Sequence, residues 1–360
     1  MRREFLLGGA ACAMVLAAGR AAAALRVPDP VRIPYPERPE VREFLDRVAQ
    51  QEGLDRARLD EIAGAARFSV AVRRLNALPA PRGGARPQAP DWPAFRARHV
   101  DADRVRAGRQ FAGAYRSALQ RAEARFGTPS PVIVSILGIE TRYGRLTGTF
   151  RAIDVLMTLA FDDARRAARF RDELADYLVL CEQQHWDPLA VRSSHSGAIG
   201  WPQFLPSSLR RLAIDFDGDG IVDLQSNPVD AIGSVANFLS SYGWRAELPV
   251  LLPLQPGTAR DTPLSALRSR GIDADRTWSD LADAGARFAT PPAAPLEAAT
   301  PVLLVELPAG SRQAPEYRVG TVNFSALLQY NRSYFYAAAV SELADQLTRL
   351  DAGAPQRADT

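Results

Sequence analysis

The run Pro131-Val-Ile-Val-Ser-Ile-Leu-Gly-Ile-Glu140-Thr-Arg-Tyr-Gly144 constrains this chain more than any other stretch, because nine apolar or small residues lead into a single carboxylate. So apolar a helix is buried on most sides, and the fold has to be arranged around it. Glu140 then emerges from a low-dielectric wall rather than from water. Desolvation disfavours the ionised carboxyl and raises its pKa, and a glutamate that keeps its proton near neutrality can serve as a general acid. The ordinary alternative is a helix-end glutamate paired with Arg142 or Arg145, which would lower that pKa instead.

The remaining sequence bears on which of these applies. With 360 residues, 47% hydrophobic and 24% charged, the chain has the composition of a soluble globular protein of two or three lobes. Residues 1–24 read as an export signal: Arg2 and Arg3 make a basic start, an apolar run follows, and the alanines at 21–24 offer cleavage sites. Arg2-Arg3-Glu4-Phe5-Leu6 also resembles a twin-arginine signature. Cys12 raises a lipoprotein anchor as the competing reading, disfavoured because Gly9 stands where such motifs carry leucine. Removing residues 1–24 takes away three arginines and one glutamate, so 44 basic and 41 acidic residues become 41 and 40. A nearly neutral protein has no electrostatic motive for binding nucleic acid. Cys181 is then the only cysteine, which excludes an intramolecular disulfide. Beyond the amino-terminal run, no apolar segment is long enough to span a bilayer.

Residues 25–128 read as a proline-bearing linker followed by a helical lobe, with periodic apolar positions from Val41 to Leu75. A Pro-, Gly- and Arg-rich loop over 79–93 interrupts the lobe, and one long helix is expected over 103–126. Residues 129–245 form the expected core. Within it, a helix over 164–186 starts on Arg165, Arg166 and Arg169, where the helix dipole disfavours cations. A solvated charged face or a row of cations facing an anionic polymer would both account for that placement. The stretch Ser193-Ser-His-Ser-Gly-Ala-Ile-Gly-Trp-Pro-Gln203-Phe-Leu-Pro206 alternates small residues with aromatics, which suits either a ligand groove or a tight turn between helices.

Asp215-Phe-Asp217-Gly-Asp219-Gly220-Ile221-Val-Asp223 is the sharpest local motif. It has carboxylates at the first, third and fifth positions of an EF-hand loop, glycine at the sixth and a carbonyl, that of Ile221, at the seventh. The twelfth position is Ser226 rather than the bidentate glutamate, so Asp230 is the expected closing ligand, with Asp223 a further candidate. The alternative is a plain Asx-turn cluster without an ion. Residues 246–320 contain strand-like runs at 248–254 and 302–307 and read as a small lobe. The chain then returns through an aromatic cluster with Tyr330, Asn331 and Tyr336 in segment 321–350, and 351–360 is a tail.

Taken in order, Gly138-Ile-Glu140-Thr-Arg-Tyr-Gly144, the blocks at 194–208, 215–219 and 228–237, and Tyr330-Asn331 resemble the lytic murein transglycosylase B family. The resemblance spans about residues 41 to 348. It implies a mainly α (α+β) protein: a lysozyme-like core with an EF-hand-like calcium loop, an N-terminal helical lobe and a small β-containing lobe. It also implies a periplasmic monomer, with peripheral or lipid-anchored membrane association left open, that acts on peptidoglycan glycan strands.

By the same resemblance, Glu140 is the single acid/base in a cleavage that leaves 1,6-anhydro-N-acetylmuramic acid ends, unlike the two-carboxylate scheme of most glycosidases. Ser194, Gln203, Arg165, Arg166, Tyr330, Asn331 and Tyr336 would line the groove. Phe95 and Phe238 stand where the family carries cleft tyrosines, so they would keep a stacking surface without the hydroxyl. Asp215, Asp217, Asp219, the Ile221 carbonyl and Asp230 would hold a structural Ca2+. The competing functions are a hydrolytic muramidase and a non-catalytic peptidoglycan-binding scaffold. The three histidines lie apart, and no serine sits in a nucleophile elbow, which disfavours a Ser/His/Asp hydrolase and a zinc site.

Overall fold

In the computed structural model, residues 33–77, 89–256, 263–311 and 313–351 are described. The export-signal reading, with Cys12, falls outside them, as do most of the 79–93 loop and nearly all of the tail.

Side-chain caps start most of the N-terminal helices. Asp55, Ser69, Asp91 and Asp101 each accept a backbone N–H from the first turn of Arg56–Ala65, Val70–Asn76, Trp92–His99 and Ala102–Ala114, which satisfies donors that a helix start leaves open. The expected single helix over 103–126 is two helices, Ala102–Ala114 and Arg116–Phe126, because Tyr115 leaves helical geometry at φ −114° and ψ 25°. The bend lets each half pack on a different neighbour. The first lies against the central helix and the C-terminal one, and the second packs mainly on Pro228–Ser241.

The central helix is Ser130–Thr141, and every residue from Val132 to Thr141 is buried. Its isoleucines, valines and leucine each remove enough apolar surface from water to contribute about 1.5–3 kcal/mol, and they point in all directions. The helix is therefore enclosed by Ala102–Ala114, Arg116–Phe126, Pro228–Ser241 and Tyr334–Asp351. Ala152–Phe161 and Ala167–Gln183 pair with each other, and Pro206–Leu212 packs on the latter.

A four-stranded antiparallel sheet holds Leu251–Pro253, Glu316–Thr321, Pro301–Leu307 and Arg276–Thr277 in that order, with Leu304 opposite Val319. Side-chain alternation divides the Pro301–Leu307 strand between two cores. Val302 and Leu304 join Leu254, Leu264, Leu281, Ala286 and Val319 in a small cluster, while Leu303, Val305 and Leu307 face the main core. The chain returns to that core through Val322–Tyr330. At its start, buried Asn323 accepts the Arg245 N–H at 2.7 Å and donates to the carbonyls of Arg245 and Leu248. Among the described residues, no helix is long and apolar enough to cross a membrane.

Candidate active site

Glu140 lies in the last turn of the central helix and is 8% exposed. The turn beyond it is unusual. Arg142, Tyr143 and Gly144 take φ of 51°, 60° and 78° in succession, a left-handed geometry that costs about 1–2 kcal/mol at each non-glycine residue. Specific contacts hold it there. The Thr141 hydroxyl lies 3.2 Å from both the Leu137 and the Trp201 carbonyls and accepts the Gly144 N–H at 3.0 Å. The Tyr143 hydroxyl reaches back to the Arg104 carbonyl at 3.0 Å, and burial raises its pKa.

The glycines of the motif follow from these contacts. A Cβ at Gly138 would strike the Tyr143 ring, and one at Gly144 would overlap the Trp201 indole. Small residues here allow the Tyr143 ring, from the same motif, and the Trp201 indole, from the 193–204 loop, to press against the backbone beside Glu140.

The 193–204 loop packs against that turn. It is folded by bridges from Ser193 to Ile199 and from Ile199 to Phe204. Gly148, at φ 107°, lies so close to the Ser193–Ser194 backbone that no side chain fits there. Gln203 also has positive φ, 51°, and its amide donates to the Thr147 and Gly200 carbonyls at 3.1 and 2.8 Å. The Ser194 hydroxyl oxygen accepts the N–H groups of Ser196 and Ala198, so it organises its own turn. Tyr330 closes the other side: its hydroxyl donates to the Pro202 carbonyl at 2.5 Å, and its ring lies 5.6 Å from Phe204.

The structure thus brings Glu140, Gln203, Ser194 and Tyr330 into one connected framework, and it corrects several side-chain roles. Phe238 is 4% exposed and packs 4.7 Å behind Tyr330, and Tyr336, 3% exposed, stacks behind the same ring at 6.3 Å. Both rings are buried in the core against Tyr330, where little of either is open to solvent. Asn331 caps the Val322–Tyr330 helix beside them. Phe95 belongs to a separate ring cluster, stacked 4.0 Å from His99 and packed on Trp92 and Phe335. Arg165 is half exposed and 3.6 Å from Asp163. Arg166 is tied down more firmly, by Asp163 at 2.9 Å and by Asn76 at 3.0 Å. The sequence motifs do not single out Asn76, Asp163 or Thr147. Thr141 lay inside the motif, but only its contact with Trp201 shows what it does.

A second constellation lies in the 215–230 loop. Carboxylate oxygens of Asp215, Asp217 and Asp230 come within 4.8 Å of one another. Asp230 is fully buried and accepts the Phe216 and Asp223 N–H groups at 2.7 and 2.9 Å, and burial raises its pKa. Asp215 is half-buried, and N–H groups led by that of Gly220 lower its pKa. An all-oxygen donor set of converging carboxylates fits a hard cation such as Ca2+. Asp219 is outside this cluster; it is exposed and accepts the Ile221 N–H at 2.8 Å, which turns its carboxylate onto its own loop.

Residues 36–345 match the family described as the transglycosylase SLT domain. The chain belongs to that family. This transglycosylase is 36% identical over 312 residues to the membrane-bound lytic murein transglycosylase B of Escherichia coli (strain K12), an alignment covering 86% of this chain and 82% of that protein. Among solved structures, it is similar to the catenated lytic transglycosylase SltB1 from Pseudomonas aeruginosa, with 34% identity and a TM-score of 0.79 over 88% of this chain and 99% of that one. It is likewise similar to the Escherichia coli lytic transglycosylase SLT35 in complex with calcium, with 34% identity and a TM-score of 0.74 over 87% and 94% of the two chains. The protein is therefore a lytic murein transglycosylase with the mainly helical, lysozyme-like fold of these relatives.

Proposed function

We propose that this enzyme cleaves the bond between N-acetylmuramic acid and N-acetylglucosamine in peptidoglycan, with Glu140 as the only acid and base. The observation that carries this reading is one buried carboxyl at the end of an apolar helix, in the turn on which the 193–204 loop packs through Trp201. The protonated carboxyl donates to the glycosidic oxygen as the bond to muramyl C1 breaks. The resulting carboxylate then takes the proton of the muramyl C6 hydroxyl as that oxygen bonds to C1. The ring closes as a 1,6-anhydro sugar, the acid is regenerated and no water is consumed. Burial of Glu140 supports this outcome, since a site that excludes water favours the internal nucleophile.

In this reading Ser194, Gln203, Tyr330 and Asn331 line the groove, and Arg165 and Arg166 face the anionic parts of the substrate. Asp215, Asp217 and Asp230 would hold Ca2+, with Asp219 and the Ile221 carbonyl as further oxygen donors from the same loop. When bound, the ion would neutralise the converging carboxylates and staple the loop. The protein works as a periplasmic monomer, and the helical lobe ending near 128 and the small lobe over 246–320 flank the 129–245 core.

The test is mass spectrometry of products from peptidoglycan sacculi treated with the enzyme and with Glu140→Gln. Products lighter by one water than the hydrolysed form, absent with the variant, are expected. Reducing muramic acid ends would instead make the enzyme a hydrolase, and binding without cleavage would make it a scaffold.

A further inference from the structure

Asn76 ends the Val70–Asn76 helix in the N-terminal part of the chain, 64 positions before Glu140 in sequence. Its amide is fully used. Nδ2 donates to the carbonyls of Val72 and His195 at 2.9 and 2.7 Å. Oδ1 accepts from Arg166 Nη1 at 3.0 Å and from the Ser196 hydroxyl at 3.2 Å. An asparagine amide has two donor hydrogens and two acceptor lone pairs, and here all four are engaged. The Asn76 backbone carbonyl accepts a further bond from Arg166 Nη2 at 3.3 Å.

These bonds converge on two of the groups assigned above to the groove. Asp163 accepts from Arg166 at 2.9 and 3.1 Å, and Phe170 lies beneath the guanidinium at 5.5 Å, so Asn76 supplies the remaining constraint on that cation. On its other side Asn76 holds residues 195 and 196, and the Ser196 N–H is bonded to the Ser194 hydroxyl at 3.3 Å. One side chain therefore sets the spacing between a cation and a hydroxyl-bearing turn that belong to different segments. The turn after Glu140 is held separately, through Thr141 and Trp201.

We infer that Asn76 is a positioning residue for substrate binding, which preorganises Arg166 and the 194–196 turn against an anionic, N-acetylated glycan. The inference rests on the groove reading above. Without Asn76 both groups would have to be ordered when substrate arrives, a cost that falls on binding rather than on bond cleavage. An aspartate here would keep the acceptor for Arg166 and lose both donors, releasing the His195 carbonyl.

The experiment is steady-state kinetics on a soluble peptidoglycan-derived oligosaccharide, with thermal unfolding followed in parallel. Asn76→Ala is expected to raise KM about tenfold with kcat within about twofold, the size expected when a few preorganising hydrogen bonds are lost. Asn76→Asp should raise KM about threefold, since one of the two arms survives, and it also serves if the alanine variant does not fold. Binding of the same oligosaccharide to Glu140→Gln, with and without Asn76→Ala, gives a readout that needs no turnover, and Kd should weaken by the same factor. Unchanged KM and Kd, whatever the melting temperature, would overturn the role, as would a fall in kcat alone. If the wild type released no product, the catalytic reading would fail separately, and the Kd comparison would still decide Asn76.

Discussion

The turn after Glu140 and the acidic loop at 215–230 are both built from close hydrogen bonds, but the bonds span different distances along the chain. Around Glu140 the partners are remote: Thr141 and Trp201 are 60 residues apart, Gln203 and Thr147 are 56, and Tyr330 and Pro202 are 128. In the acidic loop they are near: Asp215 with Gly220 spans 5 residues, Asp217 with Asn227 spans 10 and Asp230 with Phe216 spans 14. A locally closed loop can form its geometry from its own sequence. The turn after Glu140 holds its left-handed backbone only while distant segments press on it, so its shape reports the integrity of the whole fold.

That contrast can be broken in graded ways. The largest effect is expected at the carboxyl itself: Glu140→Gln should lower kcat by about 10²–10⁴, the usual contribution of general acid–base catalysis, with little change in melting temperature. Gly144→Ala should come next, because its left-handed φ and the clash with Trp201 add to about 2–5 kcal/mol of destabilisation, read as a shifted denaturant midpoint.

The acidic loop should respond differently. Chelating Ca2+ from protein kept at a hundredfold excess over Kd should remove about 2.7 kcal/mol, a melting shift of several degrees, with kcat at 25 °C nearly unchanged. A proportional loss of kcat would mean that the two regions are coupled.

Glu173 probes a third arrangement. This buried carboxyl accepts the Ser207 N–H and hydroxyl at 2.9 and 3.0 Å, and burial raises its pKa above the ordinary 4.5. The folded protein then holds this proton more tightly than the unfolded chain. The contribution is full below pH 4.5 and is lost as pH rises through the raised value. Glu173→Gln should flatten that part of the stability profile in thermal melts taken between pH 4 and 8. The smallest effect is expected for Tyr330→Phe, which gives up one hydrogen bond to Pro202, about 0.5–1.5 kcal/mol, and should appear chiefly in KM.

Much of the molecule was legible before its structure. The burial of Ser130–Thr141 followed from an apolar run with no polar face, and the strand at Pro301–Leu307 followed from its composition. The convergence of Asp215 and Asp217 followed from a spacing of two residues. The break at Tyr115 was not legible, because the helical periodicity continues through it and only packing on two different neighbours divides it. Likewise, the resemblance puts Phe238 and Tyr336 at the cleft, and only tertiary packing shows both side chains buried.

By itself the sequence determined what is encoded over a turn or two of chain: the buried helix with its terminal glutamate, the helix caps and the acidic loop. Tertiary structure alone decided what surrounds Glu140, which aromatic rings are buried against Tyr330, and that Asn76 joins Arg166 to the 194–196 turn. The physical reason is the range of the forces involved. Hydrophobic periodicity and capping act between neighbours along the chain, whereas a saturated amide or a glycine beneath an indole acquires its meaning from partners that only the completed fold brings within hydrogen-bonding or van der Waals distance.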